Sequence, residues 1–184
     1  MMPQFPKRYA DAVARLRVPS GFVLVLVFAW FSHPTAHSLL LGLPFGLVGL
    51  FLRAWAAGCL AKNQQLATGG PYAYTRNPLY LGTLLVAAGL VVASRNIGLG
   101  ILFIAVFLLV YLPVIQLEEQ HLRSLFPEYA LYAGQVPALW PRFTPAPTRN
   151  PNPFQTALYL RNQEYQAGAG FAAGMLFLLW KVLG

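Results

Sequence analysis

The stretch IGLGILFIAVFLLVYLPVIQL, Ile97–Leu117, holds no charged residue. As a helix it is about 31 Å long at 1.5 Å per residue, which matches the hydrocarbon core of a bilayer. Four other runs, Gly21–Phe31, Leu39–Leu52, Leu79–Ala93 and Ala167–Val182, are nearly as apolar. Of the 184 residues, 57% are hydrophobic and only 10% charged, with mean hydropathy +0.54. A soluble domain carries about 25% charged residues. The composition excludes a soluble enzyme, a disordered chain and a secreted disulfide scaffold. It predicts an all-α, polytopic membrane bundle of about five spans forming one integral membrane domain, 1–184.

Working outward from that run, residues 5–17 read as an interfacial helix, part of an N-terminal segment 1–17. Phe5, Tyr9, Val13 and Leu16 recur at helical spacing beside Lys7, Arg8, Arg15 and Arg17. A first span is expected over Val13–Ser32, with Arg15 and Arg17 snorkelling at its start, and a second over Ala36–Leu60, tilted or kinked near Pro44. The third is Leu79–Ser94, Arg95-Asn96 make a tight turn, and the fourth is Ile97–Leu117. A long polar segment, Glu118–Tyr165, leads to a last span, Ala167–Leu183, within an added C-terminal helix 166–184. The start carries Pro3, Pro6, Lys7, Arg8 and Asp11 and no small-residue cleavage site, so the first helix itself is expected to direct insertion.

The formal net charge of +8 is explained by topology rather than by nucleic acid, because the bases flank the apolar runs. The N-terminus has Lys7, Arg8, Arg15 and Arg17, and Lys62 and Arg76 follow the second span. Arg123, Arg142, Arg149 and Arg161 follow the fourth, whereas the intervening short loops carry only Arg95. The bias predicts a protein of the bacterial inner membrane, with its N-terminus and both long polar segments in the cytoplasm. The lone Cys59 forms no intrachain disulfide and reads as a buried thiol.

Chemistry concentrates in Gly69–Gly82. Asn77 is a favoured N-cap and Pro78 a favoured first helical residue. Tyr72, Tyr74 and Tyr80 suit an aromatic belt, but the crowding of glycines, tyrosines and Arg76 at one helix start suits a ligand as well. Free N–H groups and the positive dipole end attract anionic groups, and tyrosine faces attract a cation. Glu118-Glu119 are two of only five acids and stand at the expected end of the fourth span, against the helix dipole. They read either as a solvated helix end or as a functional pair. Arg53, inside the second span, either snorkels or pairs with Glu118 or Glu119. His33, His37 and His121 form no metal constellation, so no metal is expected. Gly42-x-x-x-Gly46 reads as helix packing.

The block Gly70–Gly82, followed by Glu118-Glu119 and then Phe126-Pro127-Glu128-Tyr129, Tyr132 and Val136-Pro137, resembles the isoprenylcysteine carboxyl methyltransferase family and its phospholipid N-methyltransferase relatives. These are integral membrane enzymes that use S-adenosylmethionine. The resemblance covers Arg53 to Pro145, a methyltransferase core. It implies cofactor contacts at Gln64, Gln65, Leu66, Ala67, Tyr72, Asn77, Pro78, Leu79, Tyr80 and Glu118. It also implies reaction roles for Tyr80, Arg76 and Glu119, with Glu119 or His121 as a base for a lipid amine. Asn77 replaces the family's histidine. Val114 stands where an arginine binds the substrate carboxylate in prenylcysteine enzymes, which points to a different lipophilic acceptor. Two other readings remain: a membrane reductase using a nicotinamide cofactor, because some sterol reductases carry a similar Arg-x-Pro-x-Tyr-x-Gly block, and a non-catalytic scaffold of the same fold.

Overall fold

A computed structural model describes residues 5–148 and 151–184 and, between them, all side chains except those of Arg17 and Val18. Residues 1–4 of the expected interfacial segment, the Arg17 side chain expected to snorkel, and Arg149 of the charge count lie outside the described residues. The described chain is all-helical and contains no strand. Its helices are α1 (Lys7–Phe31), α2 (Ala36–Gly58), α3 (Pro78–Ser94), α4 (Ile97–Val106), α5 (Leu112–Leu125), α6 (Tyr129–Gln135), α7 (Thr156–Arg161) and α8 (Tyr165–Leu183). A π-helical turn, Phe107–Tyr111, joins α4 to α5, so one helix runs unbroken over Ile97–Leu125.

Among the described residues, three helices are long and apolar enough to cross a membrane: Ala36–Gly58, Ile97–Leu125 and Tyr165–Leu183. Lys7–Leu16 and Pro19–Phe31 meet at 54° and make a fourth if counted as one span. The bend falls at Pro19, which lacks an N–H and crowds the preceding turn. The interfacial helix and first span expected separately are therefore two limbs of α1. The shorter α3, with 17 residues, is also apolar.

By contact the chain divides into two units. The first comprises Met1–Pro44, Ala87–His121 and Ala173–Gly184. Here the ends of three helices meet. Lys181 Nζ on α8 donates to the carbonyls of Ala29 (3.1 Å) and Ser32 (2.7 Å) at the end of α1. His33 N donates to the carbonyl of Ser94, the last residue of α3, at 2.8 Å. Leu39, Ala93 and Leu178 form the buried core between these ends. Carbonyls left open at a helix C-terminus need partners, most of all beside hydrocarbon. Asn96, left of the tight turn, accepts from Gly98 N at 2.9 Å and caps α4.

The second unit comprises Phe45–Val86 and Leu122–Ala172. Its α2 and α3 touch backbone to backbone. A Cβ added at Gly49 would stand 2.6 Å from the Gly82 carbonyl oxygen, and one at Gly82 2.8 Å from that of Gly49. Small residues permit this approach, and dispersion and carbonyl contacts supply the cohesion that hydrophobicity cannot supply within lipid.

Candidate functional site

The polar stretch between α2 and α3 has no regular structure beyond a 3-10 turn, Gly70–Ala73. Its backbone groups therefore need partners from elsewhere, and the segment after α5 supplies them. Arg76 N donates to Pro137 O (2.9 Å), Arg142 N to Tyr74 O (3.0 Å) and Ala146 N to Ala73 O (2.9 Å). The buried Thr75 hydroxyl reaches the carbonyls of Ala138 and Leu139. Asn152 is 4% exposed, and its Oδ1 accepts from Thr68 N and Gly69 N at 3.1 Å each. Gly70 has φ +56°, and a Cβ there would lie 3.0 Å from Cys59 Sγ. Both the left-handed backbone and the close thiol call for glycine.

The side chains singled out in sequence are drawn into this cage. Arg76 Nη1 donates to Ala133 O (2.7 Å) and Val136 O (3.2 Å), tying the loop to the end of α6. The Asn77 side-chain amide donates to Ala138 O at 3.0 Å. The backbone carbonyl of Asn77 accepts from Tyr80 N and Leu81 N, so α3 starts at Pro78 as its sequence dictates. Tyr72 is buried with Ala56, Cys59 and Ala67, and its carbonyl accepts the Tyr132 hydroxyl at 2.8 Å. Leu66 packs with Tyr129, Tyr132, Val136 and Ala146. Tyr80 and Pro78 are also buried.

A cavity of about 720 Å³ opens beside the loop. Gln64, Gln65 and Leu66 form one wall, facing Phe126, Glu128, Tyr132 and Gln135 from the segment around α6. Amides, a phenol, one carboxylate and an apolar shelf thus surround a volume in the range of small-molecule sites. Three of the expected cofactor contacts, Gln64, Gln65 and Leu66, line it, and Ala67, Tyr72, Asn77, Pro78, Leu79 and Tyr80 are not among its lining residues. Sequence reasoning missed Gln135 and Asn152. The only signal for Asn152 is its place in Asn-Pro-Asn-Pro, where a prolyl break frees a side chain to bond a neighbouring backbone.

Two expectations are corrected. Arg53 does pair, but with Glu164 in the α7–α8 connection: Nε to Oε1 is 2.5 Å and Nη2 to Oε2 is 3.1 Å. Arg53 Nη1 also reaches the Leu79 carbonyl and the Thr83 hydroxyl, so the guanidinium sits against the first turns of α3. Glu118-Glu119, in turn, do not end a helix. They lie inside α5, which continues to Leu125 and carries Arg123 in its last turn. The sequence beyond Leu117 is polar yet still helix-forming, and the helix stops only at Phe126-Pro127. These acids therefore do not stand at the negative end of a helix dipole. Glu118 is exposed and Glu119 half-buried. Both belong to the first unit, whereas Gln64–Ala67 and Asn77–Tyr80 belong to the second. Among the described residues no group of three His, Cys, Asp or Glu is placed to hold a metal ion.

Comparison with known proteins adds the family. The phospholipid methyltransferase family matches residues 20–129. The cobalt-zinc-cadmium resistance protein CzcN of Cupriavidus metallidurans is 37% identical over 108 residues, 55% of this chain and 50% of that protein. The nickel-cobalt-cadmium resistance protein NccN of Alcaligenes xylosoxydans xylosoxydans is 33% identical over 117 residues, 62% of this chain and 54% of that protein. The chain thus spans about half the length of these curated relatives. No solved structure matches. The matched region holds α2, α3, the caged loop and Glu118-Glu119, and on that match the chain belongs to the phospholipid methyltransferase family.

Proposed function

We propose that the protein is a membrane methyltransferase that moves a methyl group from S-adenosylmethionine to a lipophilic acceptor dissolved in the bilayer. The family match over residues 20–129 carries this reading, since it takes in the caged loop and the acid pair together. The cofactor supplies a methyl group already activated on a sulfonium. The chain's own task is binding, orientation and exclusion of water.

The side chains beside the loop suit such a group. The Gln64, Gln65 and Gln135 amides suit a base and ribose, the Glu128 carboxylate an ammonium, and Leu66 and Phe126 the apolar face of a purine. In this reading Gln64–Ala67, Tyr72, Asn77–Tyr80 and Glu118 hold the cofactor, with Tyr72 and Tyr80 turning aromatic faces to positive charge. Tyr80 and Arg76 frame the reacting atoms, and Glu119 or His121 accepts a proton from an amine acceptor. Buried Val114, in place of an arginine, favours an acceptor without a carboxylate. The N-terminus and the site face the cytoplasm of the inner membrane.

A calorimetric titration of the purified full chain tests this reading. Binding of S-adenosylhomocysteine is expected. Binding of NADPH instead would favour a reductase, and binding of neither a non-catalytic scaffold. The names of the two relatives favour a second statement, that methyl transfer serves metal tolerance. A bacterial host expressing the chain should then grow in cobalt or zinc concentrations that stop a host expressing Glu118→Gln. Equal growth of the two would separate the enzyme from tolerance.

A further inference from the structure

A second, smaller cavity lies within the same unit and belongs to none of the residues assigned above. It measures about 320 Å³ and is lined by Leu60, Ala61 and Lys62 after α2, and by Arg161, Asn162 and Gln163 at the end of α7. Among the described residues that line it, two are basic and none is acidic. The far wall, residues 158–163, lies beyond the family match, which ends at residue 129.

One of the two basic groups, Arg161, is held in place. With its amide oxygen turned toward Arg161, Gln64 accepts from both Nη1 and Nη2 at 3.1 Å, so one edge of the guanidinium is fixed. Asn162 Nδ2 donates to the carbonyls of Ala57 and Leu60 at 2.9 Å each. That amide covers the negative end of α2, which would otherwise repel an anion. Gln163, on the cavity wall, adopts left-handed backbone, φ 54°, a conformation uncommon for a residue that is neither glycine nor asparagine. The cavity also opens only a few residues beyond α2, a helix long enough to cross the membrane. Its level is therefore that of the lipid headgroups.

We infer that this cavity is a phosphate-binding site in which Lys62 and Arg161 take the phosphate of a phospholipid headgroup or of a soluble phosphate ester. Arginine presents a planar fork to phosphate oxygens, and lysine adds a mobile point charge. Gln64 touches Arg161 on one side and lines the larger cavity on the other, so an occupant here bears directly on the loop that precedes the cofactor residues. The site does not depend on methyl transfer.

The test uses the full chain in a neutral maltoside detergent at low ionic strength. Dihexanoyl phosphatidylglycerol, glycerol 3-phosphate and inorganic phosphate are titrated separately by calorimetry. Lys62→Gln/Arg161→Gln should weaken binding by about 10- to 150-fold, the loss expected for charge-assisted hydrogen bonds. Lys62→Arg/Arg161→Lys should retain it, and Lys7→Gln/Arg8→Gln should leave it unchanged. Binding confined to the lipid identifies a headgroup, and comparable binding of glycerol 3-phosphate identifies a soluble ester. Three results would overturn the site: no binding by any probe, equal affinity in the wild type and Lys62→Gln/Arg161→Gln, or an equal loss in the Lys7/Arg8 variant. S-adenosylhomocysteine titrated into the same samples keeps failure of this site distinct from failure of the methyltransferase reading.

Discussion

Arg53 and Glu164 face each other fork to fork, with Nε to Oε1 at 2.5 Å and Nη2 to Oε2 at 3.1 Å, although 111 residues separate them in sequence. Their side chains are 22% and 8% exposed. Removing one partner of such a pair strands a charge and costs about 3–5 kcal/mol, whereas replacing both by apolar groups is often neutral. Glu164→Ala should therefore lower the thermal midpoint of the purified protein markedly. Arg53→Met/Glu164→Leu should recover most of that loss. A double variant as unstable as the single one would show that the pair acts through something other than its charges.

The acid pair on α5 gives the second prediction, which rests on the methyltransferase reading. Glu118→Gln should weaken S-adenosylhomocysteine binding by about 10- to 150-fold, the loss of a charge-assisted hydrogen bond. Glu119→Gln should weaken it less, because adjacent helical residues point about 100° apart. Tyr80→Phe, which keeps the ring, should retain any cation–π contact. Wild-type affinity in a folded Glu118→Gln removes Glu118 from the site.

Glycines separate close contact from mere tolerance. At Gly49 a Cβ would stand 2.6 Å from the Gly82 carbonyl oxygen and 2.7 Å from Val86 N, all backbone that cannot swing aside. Gly49→Ala should cost about 1–3 kcal/mol, the range for overpacking. Gly168 and Gly170 on α8 meet nothing within 4 Å. Alanine there should change stability by less than about 1 kcal/mol and in the stabilising direction. Thermal midpoints in one detergent suffice for the comparison, and an unchanged Gly49→Ala would refute the backbone contact.

Topology gives the fourth. Lys181 meets Ser32 and His33 meets Ser94, so the ends of α1, α3 and α8 lie on one side. A cysteine at Arg95 or after Gly184, in a Cys59→Ser background, should label from the face opposite to one at Lys62. On the Lys/Arg bias, the face expected to label Lys62 is the cytoplasmic one. Labelling of Gly184 and Lys62 from the same face would mean that α8 does not cross.

Where a helix is set by a long apolar run, its position was legible. Ala36, Pro78 and Ile97 open helices where capping chemistry and hydropathy put them, and Ser94 and Leu183 close them. Long-range pairing was not legible. Nothing local tells Arg53 to choose Glu164 over Glu118, because that choice depends on the path of a polar segment interrupted by proline. The cage around Gly69–Asn77 escaped for the same reason. Its hydrogen-bond partners come from Pro137–Ala146 and Asn152, whose sequence reads only as loop. The overrun of α5 past Leu117 shows a limit of hydropathy, which marks where a helix leaves lipid and not where it stops.

The π turn at Phe107–Tyr111 acts as a one-residue phase shift. Each added residue turns the helix by about 100°, so stripes counted at regular spacing from Ile97 arrive at Glu118 on the wrong azimuth. Removing a single residue from the turn would restore the ordinary count while keeping every side chain downstream. It would also swing Leu112–Leu125, acids included, by more than a quarter of a revolution against everything they now face. The segment is thus intolerant of length change at a place where its composition, five bulky apolar or aromatic residues, looks freely interchangeable.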